Sequence, residues 1–226
     1  MFNKIERVKN LISATNAIVA TSYDPKYRFH NDEQIQTWEN NAMIFKPCAV
    51  SITLTKQNIH AFIEEPIHFN RLARYPVNIE YYIFNKLYTA FKPSEDDLFR
   101  FFKYCIDNSI TNIAEVEAVK YSIDNPIGRY CNCNNSCLYL DGSLTFNCLK
   151  RSSNLPQEEF FDVVPIEDEY TETQLKEALI RKKCFTCKNF SFCRMYCMAS
   201  VLHKSVDNSS CGMYKVYEYI RSKQCQ

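Results

Sequence analysis

Glycine is almost missing from this chain: only Gly128, Gly142 and Gly212 occur in 226 residues. A phosphate-cradling loop needs closely spaced glycines, so that backbone N–H groups can approach the anion. No such cluster exists, which argues against a nucleotide-dependent kinase or dehydrogenase. A dominant charge is missing as well. The formal net charge is +1 and no long run carries a single sign, so neither nucleic acid nor an anionic membrane is expected as a partner. Long apolar runs are also absent, and none reaches the roughly 20 residues that span a bilayer. The opening MFNKIERVKNLISATNAIVA starts basic, but Ser13, Thr15 and Asn16 interrupt its apolar part. It does not read as a signal peptide, and a reducing cytoplasm is the expected compartment.

Cysteine, in contrast, is abundant. The chain has 12 cysteines, with 46% hydrophobic and 14% aromatic residues, enough to bury a core as one domain or two small ones. Under reducing conditions closely spaced cysteines bind metal rather than pair as disulfides. Residues 1–130 hold only Cys48 and Cys105, and the remaining cysteines follow from Cys131 onward. That shift places a boundary near Asn125 and Pro126, giving an expected unit over 1–125 and a cysteine-rich unit over 126–226.

The first unit reads as alternating strands and helices. Runs rich in β-branched and aromatic residues predict strands at Ala17–Thr21, Ala49–Leu54, Asn78–Phe84 and Val116–Ile123. Helical spacing covers Asp32–Phe45, and also Ile59–Ala73, where Pro66 must kink or split the helix. In SEDDLFRFFKYCIDNS, Ser94 can cap, and Glu95, Asp96 and Asp97 suit the first turn. Leu98, Phe101, Phe102, Cys105 and Ile106 share one apolar face. Alternation of this kind implies parallel strands with right-handed crossovers. Four such units amount to half a barrel, whose open edge something must cover.

The second unit centres on LYLDGSLTFN, which alternates around Asp141-Gly142 and predicts a hairpin. Residues 149–170 read as a surface loop. Helices are expected over Glu172–Lys182, over Met198–His203 and from about Cys211. Between them stands CFTCKNFSFCRMYC, a C-x2-C-x5-C-x3-C set at residues 184–197. Thiolates are soft ligands, and four of them suit zinc or an iron–sulfur cluster.

Cys131 and Cys137, the hairpin, Cys148, the C-x2-C-x5-C-x3-C set and Cys211 together resemble the SPASM domain of radical S-adenosylmethionine (SAM) enzymes that mature peptides and proteins. The resemblance covers roughly residues 131–211. It implies two auxiliary four-iron four-sulfur clusters bound in an interleaved way. Cys131, Cys137, Cys148 and Cys197 would hold one, and Cys184, Cys187, Cys193 and Cys211 the other. Upstream, ATSYDPKYRF and VSITLTKQNI are similar to the later half of the radical SAM partial barrel. The fold class implied is α/β, a half radical SAM-like β/α barrel followed by a small cysteine-rich α+β SPASM-like domain.

Several features depart from that pattern. Five residues separate Gly142 from Cys148, where the family usually has four. Leu149 replaces the aspartate that sulfatase-maturing members use as proton acceptor. Arg194, Met195 and Tyr196 stand where small residues are common. No C-x3-C-x2-C triplet exists for a catalytic cluster, so SAM is not expected to bind this chain alone. A partner chain would then supply the catalytic half, acting on a peptide or protein substrate. Two other readings stay open: a standalone two-cluster electron-transfer protein, and a zinc-stabilised interaction module.

Other residues carry weaker signals. Cys133 reads as an unliganded neighbour of the ligand set, and Cys48 is expected to be buried. Cys225 falls in the terminal tail, and His203 reads as a surface histidine. His30, His60 and His68 form no pattern. Asp24 reads as a turn residue before Pro25, although a barrel would put it at the mouth. Glu80, Glu115 and Glu117 are expected in or beside strands.

Overall fold

The computed structural model describes residues 5–81, 90–125, 137–138, 144–145, 183–191, 193 and 210–224. In chain order these form α1 (Ile5–Thr15), β1 (Ala20–Ser22), α2 (Asp32–Phe45), β2 (Ala49–Leu54), α3 (Lys56–Glu64), α4 (Ile67–Leu72), β3 (Val77–Tyr81), α5 (Glu95–Asp107) and α6 (Ala114–Asp124). A hairpin of β4 (Cys137–Leu138) and β5 (Leu144–Thr145), a 3-10 turn at Cys184–Thr186 and α7 (Gly212–Gln224) follow.

β1, β2 and β3 lie side by side in that order and all run parallel, with Thr21 beside Val50 and Ile52 beside Ile79. Each sequential step moves the same way across the sheet, so right-handed crossovers put the connecting helices on one face. Val50, Ile52, Leu54, Val77 and Ile79 point to that face and are buried. Trp38 of α2 reaches it too, donating its indole N–H to Thr21 Oγ1 at 3.2 Å. The opposite face carries Ala20, Ser22, Ala49, Ser51, Thr53, Asn78 and Glu80, small or polar and half-buried to exposed. Parallel sheets are normally covered on both faces; this one presents a polar face.

Local chemistry explains the helix boundaries. Asn31 caps α2 by accepting from Gln34 N–H at 3.0 Å, and Thr55 caps α3 by accepting from Asn58 N–H at 3.1 Å. Pro66 divides the expected Ile59–Ala73 helix into α3 and α4, since its ring removes a donor and crowds the preceding turn. Ser94 and Asp97 form a reciprocal capping box on α5. Its face of Leu98, Phe101, Phe102 and Cys105 is buried, each large side chain contributing about 1.5–3 kcal/mol.

Two expectations fail in this part. Val116–Ile123 is not a fourth strand but lies in α6, with Val116, Val119 and Ser122 buried at helical spacing. Their β-branched composition suggested a strand, but a helical period puts them on one buried face. The fourth strand shrinks to a single parallel bridge between Val77 and Ile113, backed by Val77 N–H donating to Asn112 O at 2.8 Å. Cys48 is exposed rather than buried. It stands at the entry to β2, with its N–H held by Val19 O at 2.8 Å and its side chain outside the helical cover. The other strands shift modestly: β1 starts later than expected, and the end of the expected Asn78–Phe84 strand lies outside the described residues. The helices expected over Glu172–Lys182 and Met198–His203 also lie outside them.

α7 joins the two parts of the chain. Its Met213, Val216, Tyr217 and Ile220 are buried in the same hydrophobic core as the helices and sheet of the first part. Ser122 Oγ lies 3.1 Å from Tyr217 OH, and Lys215 pairs with Asp96 at 2.5 Å. Asp107 gathers Lys103 at 2.6 Å, Lys223 at 2.9 Å and the hydroxyl of Tyr219. These donors hold its carboxyl far below the usual carboxylate range.

Candidate metal centre

The second expected ligand set falls within the described residues. Lys183 takes a left-handed backbone (φ 54°) and turns the chain into the 3-10 helix that begins at Cys184. Cys187 N–H donates to Cys184 O at 3.0 Å, and Phe190 N–H donates to Cys187 O at 3.0 Å. Two consecutive tight turns therefore carry the C-x2-C pair. Cys193 and Cys211 pack against the hydrophobic core. Cys211 directly precedes α7 and its carbonyl accepts from Lys215 N–H at 3.1 Å, the position of an N-cap. A helix N-terminus favours negative charge, including a thiolate.

Polar contacts dock the cysteine loop on α7. Lys188 Nζ pairs with Glu218 Oε2 at 2.8 Å and lies 5.6 Å from the centre of the Tyr214 ring. Arg221 Nη1 donates to Asn189 Oδ1 at 2.8 Å. Asn189 is only 1% exposed, and its Nδ2 is buried without an acceptor among the described residues. Sequence reading passed over Asn189, although its place inside the C-x5-C interval was the available signal.

All four cysteines of this set are half-buried. They differ from Cys105, whose full burial pushes its thiol far up and leaves it inert. Among the described residues no three His, Cys, Asp or Glu side chains are grouped as around one ion. Of the first set, Cys137 opens β4, which pairs antiparallel with β5 through Leu138 opposite Leu144, as the expected hairpin requires. Cys131, Cys148 and Cys197 lie outside the described residues, as do Cys133, His203 and Cys225.

The carboxylates divide by role. Asp24 is buried and satisfied: it accepts from Thr53 N–H and Asn58 Nδ2, both at 3.1 Å, with Arg28 at 3.6 Å. It staples the ends of β1 and β2, as a turn residue would. Glu80 stands exposed on the polar sheet face. Glu115 and Glu117 sit in the first turn of α6. Glu117 pairs with Lys120 at 2.8 Å. Burial raises the Glu115 carboxyl, opposed by the N–H of Ile79 on the outer edge of β3.

Unforeseen in the sequence is a polar chain under the sheet. Tyr23 OH lies 2.7 Å from His68 Nδ1. His68 Nε2 lies 3.3 Å from Glu65 Oε2, without the angle of a hydrogen bond. Glu65 in turn pairs with Lys26 at 2.6 Å. Burial pushes Tyr23 up to about 12 and lowers His68, which stays neutral. His60, by contrast, lies 3.3 Å from Asp97. His30 lines an open groove.

That groove, of about 570 Å³, runs along the outer edge of β1 and is walled by Phe29, Trp38, Ala42 and Phe45. Tyr23 N–H turns inward to Ser51 O at 2.8 Å. In a parallel ladder alternate residues do so, and Ala20 and Ser22 therefore turn their backbone groups outward to the groove.

In comparison with known proteins, no family model, no curated protein and no solved structure matches the chain. No helix among the described residues is long and apolar enough to cross a membrane.

Proposed function

We propose that this chain binds two four-iron four-sulfur clusters and serves as the auxiliary half of a radical SAM peptide or protein maturase. Cys131, Cys137, Cys148 and Cys197 hold one cluster, and Cys184, Cys187, Cys193 and Cys211 the other. Bound clusters supply one-electron transfer. The residues of this chain hold them, exclude water and set the charge around them.

The observation that carries the reading is the docked cysteine loop. The turns bearing Cys184 and Cys187 are fixed to α7 by Lys188 and Asn189, and α7 begins directly after Cys211. The donor set is all thiol, and two of its members pack on the core. A buried amide N–H in the same loop lacks an acceptor among the described residues, which suits a sulfur-rich occupant.

The catalytic half belongs to a partner chain that carries C-x3-C-x2-C and the SAM site. The sheet supports that division, because its two edges differ. Asn112, Ile113 and Glu115 close the β3 edge. Among the described residues no strand pairs with the outer edge of β1, and its Ala-Thr-Ser sequence contains no lysine, proline or inward charge to block pairing. Among the described residues that line the groove beside it are Arg28 and His30 and no carboxylate, which suits a neutral or acidic strand. An added strand would extend the polar face of Ser22, Ser51, Thr53, Asn78 and Glu80 toward the substrate.

Replacing Cys184 and Cys187 together by serine tests the ligand assignment. Iron is expected to fall from about eight to about four atoms per chain, one cubane being lost. Unchanged iron contradicts the assignment.

A further inference from the structure

We infer that the groove beside β1 takes an extended segment of the partner protein as an added strand, with the segment's apolar side chain at the Phe45 end and a carboxylate at the Arg28 end. The inference rests on the reading above that a partner's strand pairs with β1, and not on the clusters. Its starting point is the edge itself. Cys48 N–H donates to Val19 O and Tyr23 N–H to Ser51 O, both at 2.8 Å, so the residues between them that face away from β2 are Ala20 and Ser22. Each turns an N–H and a C=O toward the groove, the template on which strand addition builds.

The groove has two chemically different ends because α2 runs back along β1. α2 begins after the turn that follows Ser22 and ends at Phe45, just before β2 starts level with Ala20. Phe45 and Pro47 therefore wall the groove beside Val19 and Ala20, while Arg28, His30 and Gln34 lie at the Ser22 end. Trp38 stands between them, its indole fixed on Thr21 Oγ1 and its ring 6.4 Å from that of Phe29. Ile18 is 81% exposed directly before β1, and Met43 and Ile44 are exposed at the same end of α2. Apolar side chains gathered at one end of an edge strand mark a surface that another chain covers.

The other end suits an acid. Arg28 Nε lies 3.6 Å from Asp24 Oδ2, beyond hydrogen-bond distance, and half of the Arg28 side chain is exposed. Its guanidinium offers a fork of N–H donors that matches a carboxylate, and the exposed His30 ring adds another donor. Asp24 itself is buried, with Oδ1 taken by Thr53 N–H and Asn58 Nδ2, and no carboxylate is among the described residues lining the groove. From Gln34 to Phe45 α2 rises about 16 Å, the reach of about five strand residues. A fitting segment thus carries its acidic and apolar residues about four positions apart, which puts both on the face turned to α2.

Fluorescence anisotropy of the full chain with labelled synthetic peptides tests the inference. The probe alternates valine and threonine and carries one glutamate about four positions from its first valine. It is made in both chain orders, because a sheet edge accepts a parallel or an antiparallel strand. In the better order the glutamate peptide is expected to bind about fivefold tighter than its glutamine twin, the size of two exposed charge contacts, with the preference fading at high salt. Arg28→Gln together with His30→Gln is expected to erase that preference and leave the glutamine peptide bound. Ser22→Pro removes an outward N–H and is expected to weaken both peptides about tenfold. Equal binding of the two peptides to the unsubstituted chain, or binding untouched by these variants, overturns the inference. Iron and sulfide counted in the same preparation report on the clusters separately. A loaded chain that binds neither peptide overturns the inference alone, whereas an iron-free chain that still prefers glutamate supports the groove and overturns the iron–sulfur reading.

Discussion

The Glu95 carboxylate accepts the backbone N–H of Gly212 at 2.7 Å, so the first turn of α5 caps the first turn of α7. The residue before Gly212 is Cys211. One contact thus couples the packed core of the first part to the placement of a thiol in the second. Glu95→Ala removes a partner from a helix-start N–H and should cost about 1 kcal/mol. For a chain of this size that lowers the melting temperature by roughly 2–4 °C. It should also weaken iron retention by the cluster that includes Cys211. Unchanged melting and retention would remove Glu95 from that role.

His68 makes stability depend on pH. Burial lowers its basicity, against the attraction of Glu65 and with the repulsion of Arg71 and Lys26. As pH falls below about 6.5 the unfolded chain takes up a proton that the folded chain resists. Stability contributed by neutral His68 is therefore complete above that pH and is lost as pH drops toward the depressed folded value. Denaturant midpoints between pH 8 and pH 5 should fall for the native chain and fall less for His68→Asn. Parallel profiles for the two chains would show that another group sets the slope.

Lys46 ends α2 in a left-handed conformation, with φ 47° and its N–H on Ala42 O at 2.9 Å. A side chain is disfavoured there and glycine is not. Lys46→Gly is expected to raise stability by about 1 kcal/mol, read as a higher urea midpoint with an unchanged slope. A lower midpoint would mean that the lysine side chain contributes more than its backbone conformation costs.

The missing C-x3-C-x2-C triplet gives a functional prediction. The purified, reconstituted chain with reductant and SAM should form no 5′-deoxyadenosine. Production by this chain alone would mean that it contains a SAM-cleaving site of its own, and the division of labour with a partner would fail.

Much of the fold was legible because short-range chemistry decides it. Ser94 and Asp97 announce the start of α5, Pro66 announces the break between α3 and α4, and Val50, Ile52 and Leu54 announce a half-buried strand. Val116–Ile123 misled because β-branched residues fill a helix as readily as a strand once Val116 and Val119 share a buried face. The chain from Tyr23 through His68 to Glu65 was not legible, since it joins residues 45 apart in sequence that only the tertiary fold brings together. The cysteine spacing is what suggests the proposed metal centre. The orphaned amide of Asn189 needed coordinates, because burial and the direction of Arg221 cannot be read from spacing.

The central claim is that eight named cysteines hold two cubane clusters. Anaerobic purification followed by iron, sulfide and zinc quantification, with an absorption spectrum, tests it most directly. Four-thiolate ligation of two cubanes predicts about eight irons and eight sulfides per chain and a broad band near roughly 400 nm. One or two zincs, no sulfide and no colour would contradict the claim and make the cysteine-rich part a structural zinc unit.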